Sequence, residues 1–376
     1  MLVLAAILAN FVYGMIAAML GTILPDFSQR FNLSPKQNGN IALVQALGLI
    51  AASFFTGPLI DSQGTKAGLL LGLGLACASL LLLPRSKGYG SIALCLLLLG
   101  LGGGCIVNGA FALAGSIPGN TARIFNLVTL FFGLGGMATP FIAANLFRKD
   151  AVKLCYFAGL VAAVTFVLHA ATAMPPARIG FQLANAGRVI ESPAFWLLAA
   201  MLFFYVSVEC GVWNWMARHL ITQGISESRA LNILSLGFAL GITFGRVAVV
   251  PVLGSVTPET VTLGASTAMV ITLLVALRSR GAAAAGIAVF CAGLAMAPVF
   301  PTVNAMANAN NAFAGMQATA MGLCQTFGWT GLAVSSGIIG AIAGGDPKRL
   351  RKALLVLPFF SFLIAVATVV LIGLVN

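Results

Sequence analysis

Charge is scarce in this chain. Only 7% of its 376 residues are Asp, Glu, Lys or Arg, against roughly 25% in soluble domains. A surface so poor in charge excludes an ordinary water-soluble globule. Acids are fewest, with eight Asp and Glu in all, and there are two histidines. The chain shows no HExxH pair, no nucleophile placed with a histidine and no phosphate-binding loop, so enzyme chemistry is not expected. A membrane sensor is no better supported, because no soluble domain interrupts the sequence. Cys77, Cys95, Cys105, Cys155, Cys210, Cys291 and Cys324 all fall in apolar runs, with no CxxC or CxxH spacing. That argues against a disulfide framework or a zinc site and leaves small buried hydrophobes. Neither a metal nor a cofactor is expected, and no nucleic-acid partner. No Lys or Arg precedes Arg30. The first apolar stretch therefore lacks the basic flank of a signal peptide and is expected to be retained as a helix.

What is present is apolar. Hydrophobic residues make up 60% of the chain and the mean hydropathy is +1.04. A bilayer core requires about 20 apolar residues per helix, and twelve such segments can be counted between residues 3 and 375. The expected architecture is an all-α membrane protein of twelve transmembrane helices, multi-pass in the cell inner (plasma) membrane, with the lipid bilayer as its main partner. Gly 43 and Pro 15 suit close helix packing and broken helices in lipid. The longest polar stretch, Pro175 to Ser192, falls between segments six and seven. It divides the chain into an N-terminal six-helix bundle (1–174), a cytoplasmic linker (175–192) and a C-terminal six-helix bundle (193–376). The halves echo each other. A shift of 192 puts Tyr13 on Tyr205, Ser34 on Ser226 and Asn40 on Asn232, and a shift of 195 puts Phe132-Gly133 on Phe327-Gly328. A tandem repeat of this kind is the plan of a monomeric transporter whose site lies between the halves at mid-membrane.

Glu209 stands out against this background. It is the one carboxylate well inside an apolar segment; the other seven fall at segment ends or in connectors. A charged side chain at the bilayer centre costs roughly 2.5–3.5 kcal/mol on insertion scales. Such an acid needs a cavity, a partner or a proton, which points to proton coupling. Positions three or four apart share a helix face, so Tyr205, Glu209 and Trp213 form one stripe on segment seven. Tyr13 on segment one, Asn232 on segment eight, and Gln325 and Trp329 on segment eleven supply further polar or aromatic groups. Gln45, Asn108 and Asn126 add amides from segments two, four and five. Amides offer both donor and acceptor to adjacent hydroxyls, and indoles and phenols offer flat apolar faces with a polar edge. The set suits a sugar or polyol; each amide is equally compatible with a bond between helices.

The turn after segment two runs Gly57-Pro58-Leu59-Ile60-Asp61-Ser62-Gln63-Gly64-Thr65-Lys66. It resembles the G-x-x-x-D-x-x-G-x-[KR] signature of the major facilitator superfamily. Asn126 with Phe131-Phe132-Gly133 and Gly135, Tyr205-Val206 with Glu209, Gly245-Arg246, and Ala297-Pro298 with Phe300-Pro301 are similar to motifs of the fucose–galactose–hexose symporter group within it. The resemblance implies two bundles, alternating access, and sugar uptake coupled to protons or, in some relatives, to sodium. It also implies that Gly57, Asp61, Gly64 and Lys66 form an inner gate; Arg246, near the inner end of segment eight, reads as the counterpart in the second half or as a group that binds an anionic ligand. One departure is plain: the acid that the group carries on helix four is missing, with Val107 or Asn108 about where it would fall. Coupling then rests on Glu209, uses another ion, or is lost.

Two further expectations follow. Counting along segments seven and eight, a direct Glu209–Arg246 pair requires both side chains to stretch. His169 and His219, at segment ends without ligand company, read as interfacial. The charge pattern conflicts with the resemblance. If the Asp61 turn is cytoplasmic, the inner loops hold only Lys66, Arg123, Arg178 and Arg188 while fifteen Lys and Arg lie outside, against the positive-inside rule. A basic outer face would concentrate anions, which keeps an organic anion or a drug-like compound as the alternative substrate.

Overall fold

The computed structural model describes residues 1–148, 150–177, 183–344 and 346–375; Lys149, Arg178 and Gln182 lie outside the described residues. Among the described residues twelve helices are long and apolar enough to cross a bilayer. They are α1 (Leu2–Arg30), α2 (Lys36–Gln63), α3 (Thr65–Arg85), α4 (Tyr89–Gly115), α5 (Thr121–Asn145) and α6 (Ala151–Ala171). After the linker come α7 (Pro193–Thr222), α8 (Glu227–Val252), α9 (Pro258–Arg278), α10 (Ala282–Ala309), α11 (Gln317–Ala343) and α12 (Arg349–Leu374). The expected twelve-helix fold is thus the observed one.

Polar residues at the ends set where helices start. Ser34 Oγ accepts from Gln37 N at 3.3 Å and Gln37 Oε1 accepts from Ser34 N at 2.9 Å, a capping box that opens α2. Asn120, Asp150 and Thr257 cap α5, α6 and α9 in the same sense, at 3.0, 3.0 and 3.3 Å. The Lys153 N–H holds the Asp150 carboxyl below the usual carboxylate range. Two helices are irregular. The stretch Ile233–Phe238 of α8 is π-helical. The other, α10, breaks into Ala282–Met296 and Val299–Ala309 around Ala297 and Pro298, because proline supplies no N–H to the ladder.

The helices sort into two compact units. One comprises Met1–Ile124, Val128–Val189 and Asn310–Thr326; the other comprises Phe125–Leu127, Ile190–Ala309 and Phe327–Asn376. The division does not follow the chain strictly, since the start of α11 belongs with the N-terminal helices. In the first unit α2 packs on α4, α3 on α4 and α6, and α1 on α4 and α6. In the second, α8 packs on α10, α9 on α10 and α12, and α7 on α10 and α12. The pairings recur six helices on, so the internal echo has a structural counterpart.

Glycine sets the closest of these approaches. A Cβ at Gly100 of α4 would run into the Gln45 carbonyl of α2, and one at Gly48 into the Leu97 carbonyl. The counterparts Gly293 and Gly241, each 193 positions later, meet the Phe238 and Phe290 carbonyls in the same way. Gly100→Ala is therefore expected to push α2 and α4 apart, an overpacking cost of about 1–3 kcal/mol, seen as a lowered melting temperature in detergent. Gly264→Ala on α9, where an added methyl meets nothing within 4 Å, is the control and should leave stability unchanged or raised.

Candidate functional site

In the C-terminal unit, Tyr205 and Glu209 lie one turn apart on α7. Tyr205 is 0% exposed and Arg246 of α8 only 3%, whereas Glu209 is half-buried. Glu209 is within electrostatic reach of both Tyr205 and Arg246. Arg246 thus shares the electrostatic surroundings of the intramembrane acid. A buried charge beside an opposite one is the ordinary way for both to be tolerated.

Aromatic rings extend from this cluster. Tyr205 and Phe300 have ring centroids 5.9 Å apart, and Phe300 and Trp329 are 5.8 Å apart. Phe300 opens the second half of the broken α10. Trp329 is half-buried, and its indole N–H faces no acceptor among the described residues. Trp213, two turns beyond Tyr205, packs edge-on against Phe238 at 5.1 Å and stays 39% exposed. Asn232 is exposed near the start of α8, roughly 20 Å along the helix from Arg246 at 1.5 Å per residue, so it does not join the cluster. Asn126, grouped with this unit, is fully buried.

The N-terminal unit uses its polar groups differently. Asn108 Nδ2 donates to Ser53 Oγ at 3.2 Å and to Gly104 O at 2.8 Å. The Asn108 amide thus ties α4 to α2. Asn10 Nδ2 donates to Val128 O at 2.9 Å, tying α1 to α5. Tyr13 is 6% exposed, with its ring 5.0 Å from that of Phe132. Gln45 is half-buried, and its amide oxygen has no donor among the described residues. Gln325, on the start of α11, is fully buried.

Within this unit the Asp61 turn is bonded to the start of α11. Asp61 is 2% exposed, and its Oδ2 accepts from Thr319 N and from Thr319 Oγ1, each at 2.7 Å, while Oδ1 accepts from Ala318 N at 3.4 Å. The first N–H groups of a helix have no intrahelical partner and favour an anion, so the carboxylate closes the end of α11. One turn earlier, Gly57 allows the approach: a Cβ there would meet the Ala318 carbonyl at 2.5 Å. Gly322 does the same from the other side, 2.6 Å from the Ser53 carbonyl. Gly64 takes φ +92 between α2 and α3, a left-handed conformation that glycine adopts without strain. Lys66 lies apart from the carboxylate. Its Nζ donates to Ala170 O at 2.5 Å and Thr172 O at 3.2 Å, capping the negative end of α6. Both histidines are 1% exposed, buried in the last turns of α6 and α7. His169 lies between the carbonyls of Thr165 and Ala5 at 2.8 and 3.1 Å, and His219 is 2.8 Å from Gln223 Nε2. Helix ends that pack on a neighbour bury their last turn.

Thr319 and Phe300 were not singled out from the sequence. Thr319 carries no signal of its own, because its role depends on α2 lying beside α11. Phe300 stood in a quoted motif, but only the break in α10 turns it between Tyr205 and Trp329.

Comparison with known proteins agrees with this architecture. The family model described as Major Facilitator Superfamily matches residues 6–336. The chain is similar to Bypass of stop codon protein 6 of Saccharomyces cerevisiae, 22% identical over 274 residues; the match spans 65% of this chain and 55% of the yeast protein. Among solved structures, the fucose:proton symporter FucP of E. coli aligns at TM-score 0.83 with 16% identity over 98% of each chain. The proton:xylose symporter XylE aligns at 0.80 with 12% identity, over 97% of this chain and 94% of that one. The human organic anion transporter TETRAN aligns at 0.79 with 15% identity over 98% of each. At these identities the likeness is one of fold. With the family model spanning most of its length and twelve apolar helices among the described residues, the chain belongs to the Major Facilitator Superfamily and is a multi-pass membrane protein.

Proposed function

We propose that this transporter moves a small polar solute, a sugar or polyol, by alternating access, with Glu209 as the proton-carrying group. The observation that carries the reading is the placement of Glu209. The lone intramembrane carboxylate is half-buried, beside a buried tyrosine that starts the Tyr205–Phe300–Trp329 ladder. Aromatic faces cover the apolar side of a sugar ring, and amide side chains and the Trp329 N–H can serve its hydroxyls. Two proteins of the same fold, FucP and XylE, are described as proton symporters of fucose and xylose, which supports the reading. Arg246 favours a second one. A buried guanidinium near the same groups can hold a carboxylate through two parallel bonds, and TETRAN, also of this fold, is described as an organic anion transporter.

Calorimetric titration separates the two. For a neutral sugar such as fucose or xylose, Gln325→Ala and Asn126→Ala should each weaken binding by about 1–3 kcal/mol, the value of a lost buried hydrogen bond. Arg246→Lys should then change affinity little. For a carboxylate ligand the order reverses. Arg246→Lys becomes severe, because an ammonium cannot reproduce the planar fork, and affinity falls with added salt. Heat from neither ligand would remove both readings.

A further inference from the structure

At one end of the C-terminal unit the last turns of α7 and α9 and the first turn of α12 come together. Gln223 Nε2, just past the end of α7, donates to Leu277 O of α9 at 3.5 Å. Arg351 of α12 acts electrostatically on His219 of α7, and the chain around Arg351 packs on α7. Cations gather here. Arg218, Arg278, Arg280, Arg351 and Lys352 are exposed, and among the described residues none of them is ion-paired. The acids at this end are Glu227, at the start of α8, and Asp346, whose Oδ2 is 3.7 Å from Arg349 Nε. The Arg218 guanidinium lies over the Trp215 ring at 5.9 Å. The indole N–H of that tryptophan is buried and meets no acceptor among the described residues. A buried donor left unpaired is costly, and an anion held beside Arg218 supplies the acceptor.

Deeper along two of these spans the surface turns apolar. Ile271 and Val275 of α9 are 58% and 51% exposed, and Leu355 and Phe359 of α12 are 46% and 55% exposed. Steps of three or four residues put the first pair on the face of Arg278 and the second on the face of Arg351. The two helices pack on each other, so each apolar stripe runs away from a cation at the shared end. A free anion uses only the cations. A phospholipid uses both: its phosphate meets Arg and Lys, its glycerol region meets interfacial Trp, and its acyl chains lie along the stripes. We infer that this end of the C-terminal unit is a docking surface for the headgroup of an anionic phospholipid, with Arg218 and the Trp215 N–H, Arg278 and Arg351 as its donors.

The test is titration of dioleoyl phosphatidylglycerol and dioleoyl phosphatidylcholine into the full-length protein in neutral detergent, with bound lipid counted by native mass spectrometry. The expected result is tighter binding of the anionic lipid by the parent. Removing two surface cations at about fivefold each should weaken that binding by about twenty-five-fold in an Arg278→Gln, Arg351→Gln double variant, with phosphatidylcholine unaffected. The control is Lys36→Gln with Lys87→Gln, two exposed cations of the N-terminal unit, and it should keep the parental affinity. Trp215→Phe retains every charge and gives a second reading if the double variant fails to fold; it should lose about fivefold for the lost hydrogen bond. Equal binding of the two lipids by the parent, or the same loss in the control, overturns the inference. So does parental affinity in both patch variants. Displacement of the lipid by equimolar glycerol 1-phosphate, a headgroup without chains, assigns the surface to a free anion and overturns the lipid.

Discussion

Glu209→Gln is expected to abolish proton-driven accumulation, so that internal solute never exceeds external, while counterflow exchange persists. The reason lies in how few groups could replace it. The positions on α1 and α4 where an acid would matter hold Asn10, Val107 and Asn108, and two of these are bonded between helices. Asp61 is occupied by Thr319 and Ala318. Glutamine keeps the shape and hydrogen-bonding capacity of a protonated Glu209 but cannot release a proton, so the solute cycle survives and its coupling does not. The change also removes a negative charge that acts on buried Arg246, and losing an opposite charge near a buried one lowers stability. A Glu209→Gln, Arg246→Gln double variant separates the effects: melting temperature should recover towards that of the parent, and accumulation should not. Uphill uptake at the parental level by Glu209→Gln would falsify the coupling role.

Asp61→Asn is the second large effect. The carboxylate accepts three bonds at the start of α11, two of them at 2.7 Å. An asparagine presents one oxygen and one NH2, and the NH2 must face an N–H that was previously accepted. Hydrogen bonds to a charged group contribute about 1.5–3 kcal/mol each, and each 1.4 kcal/mol is a factor of ten. The start of α11 should therefore part from α2 more often, by about one to two orders of magnitude. Ala318→Cys, at a buried position, would report this as a faster maleimide reaction in the Asp61→Asn background than in the parent. Equal rates would reduce the turn to an ordinary polar corner.

Much of the fold was legible in the residues alone. The span count was, because a backbone in lipid must satisfy its hydrogen bonds within the segment, and a run of about 20 apolar residues is the visible consequence. The Tyr205–Glu209 stripe was legible too, since helix periodicity alone places i and i+4 together. The repeat was visible in outline. Its best-aligned register, Gly48 and Gly100 against Gly241 and Gly293, showed itself only once the glycines were seen to sit at matching crossings.

Other roles were decided by packing. Asn108 and Gln45 are both amides in apolar segments, yet Asn108 is held by Ser53 and Gly104 and Gln45 keeps an oxygen without a donor. Lys66 and Asp61 sit five positions apart in one motif, yet one closes α6 and the other α11. The approach of Arg246 to Glu209 required α7 and α8 to be placed in space.

The sequence by itself determined that this is a membrane protein of twelve helices, and it singled out the lone acid, because burial in lipid and helical periodicity act within a single segment. Only the tertiary structure decided which partner each polar group takes. Asp61 meets Thr319 across 258 positions; that choice is made by which helices lie side by side, and no local pattern of residues encodes it.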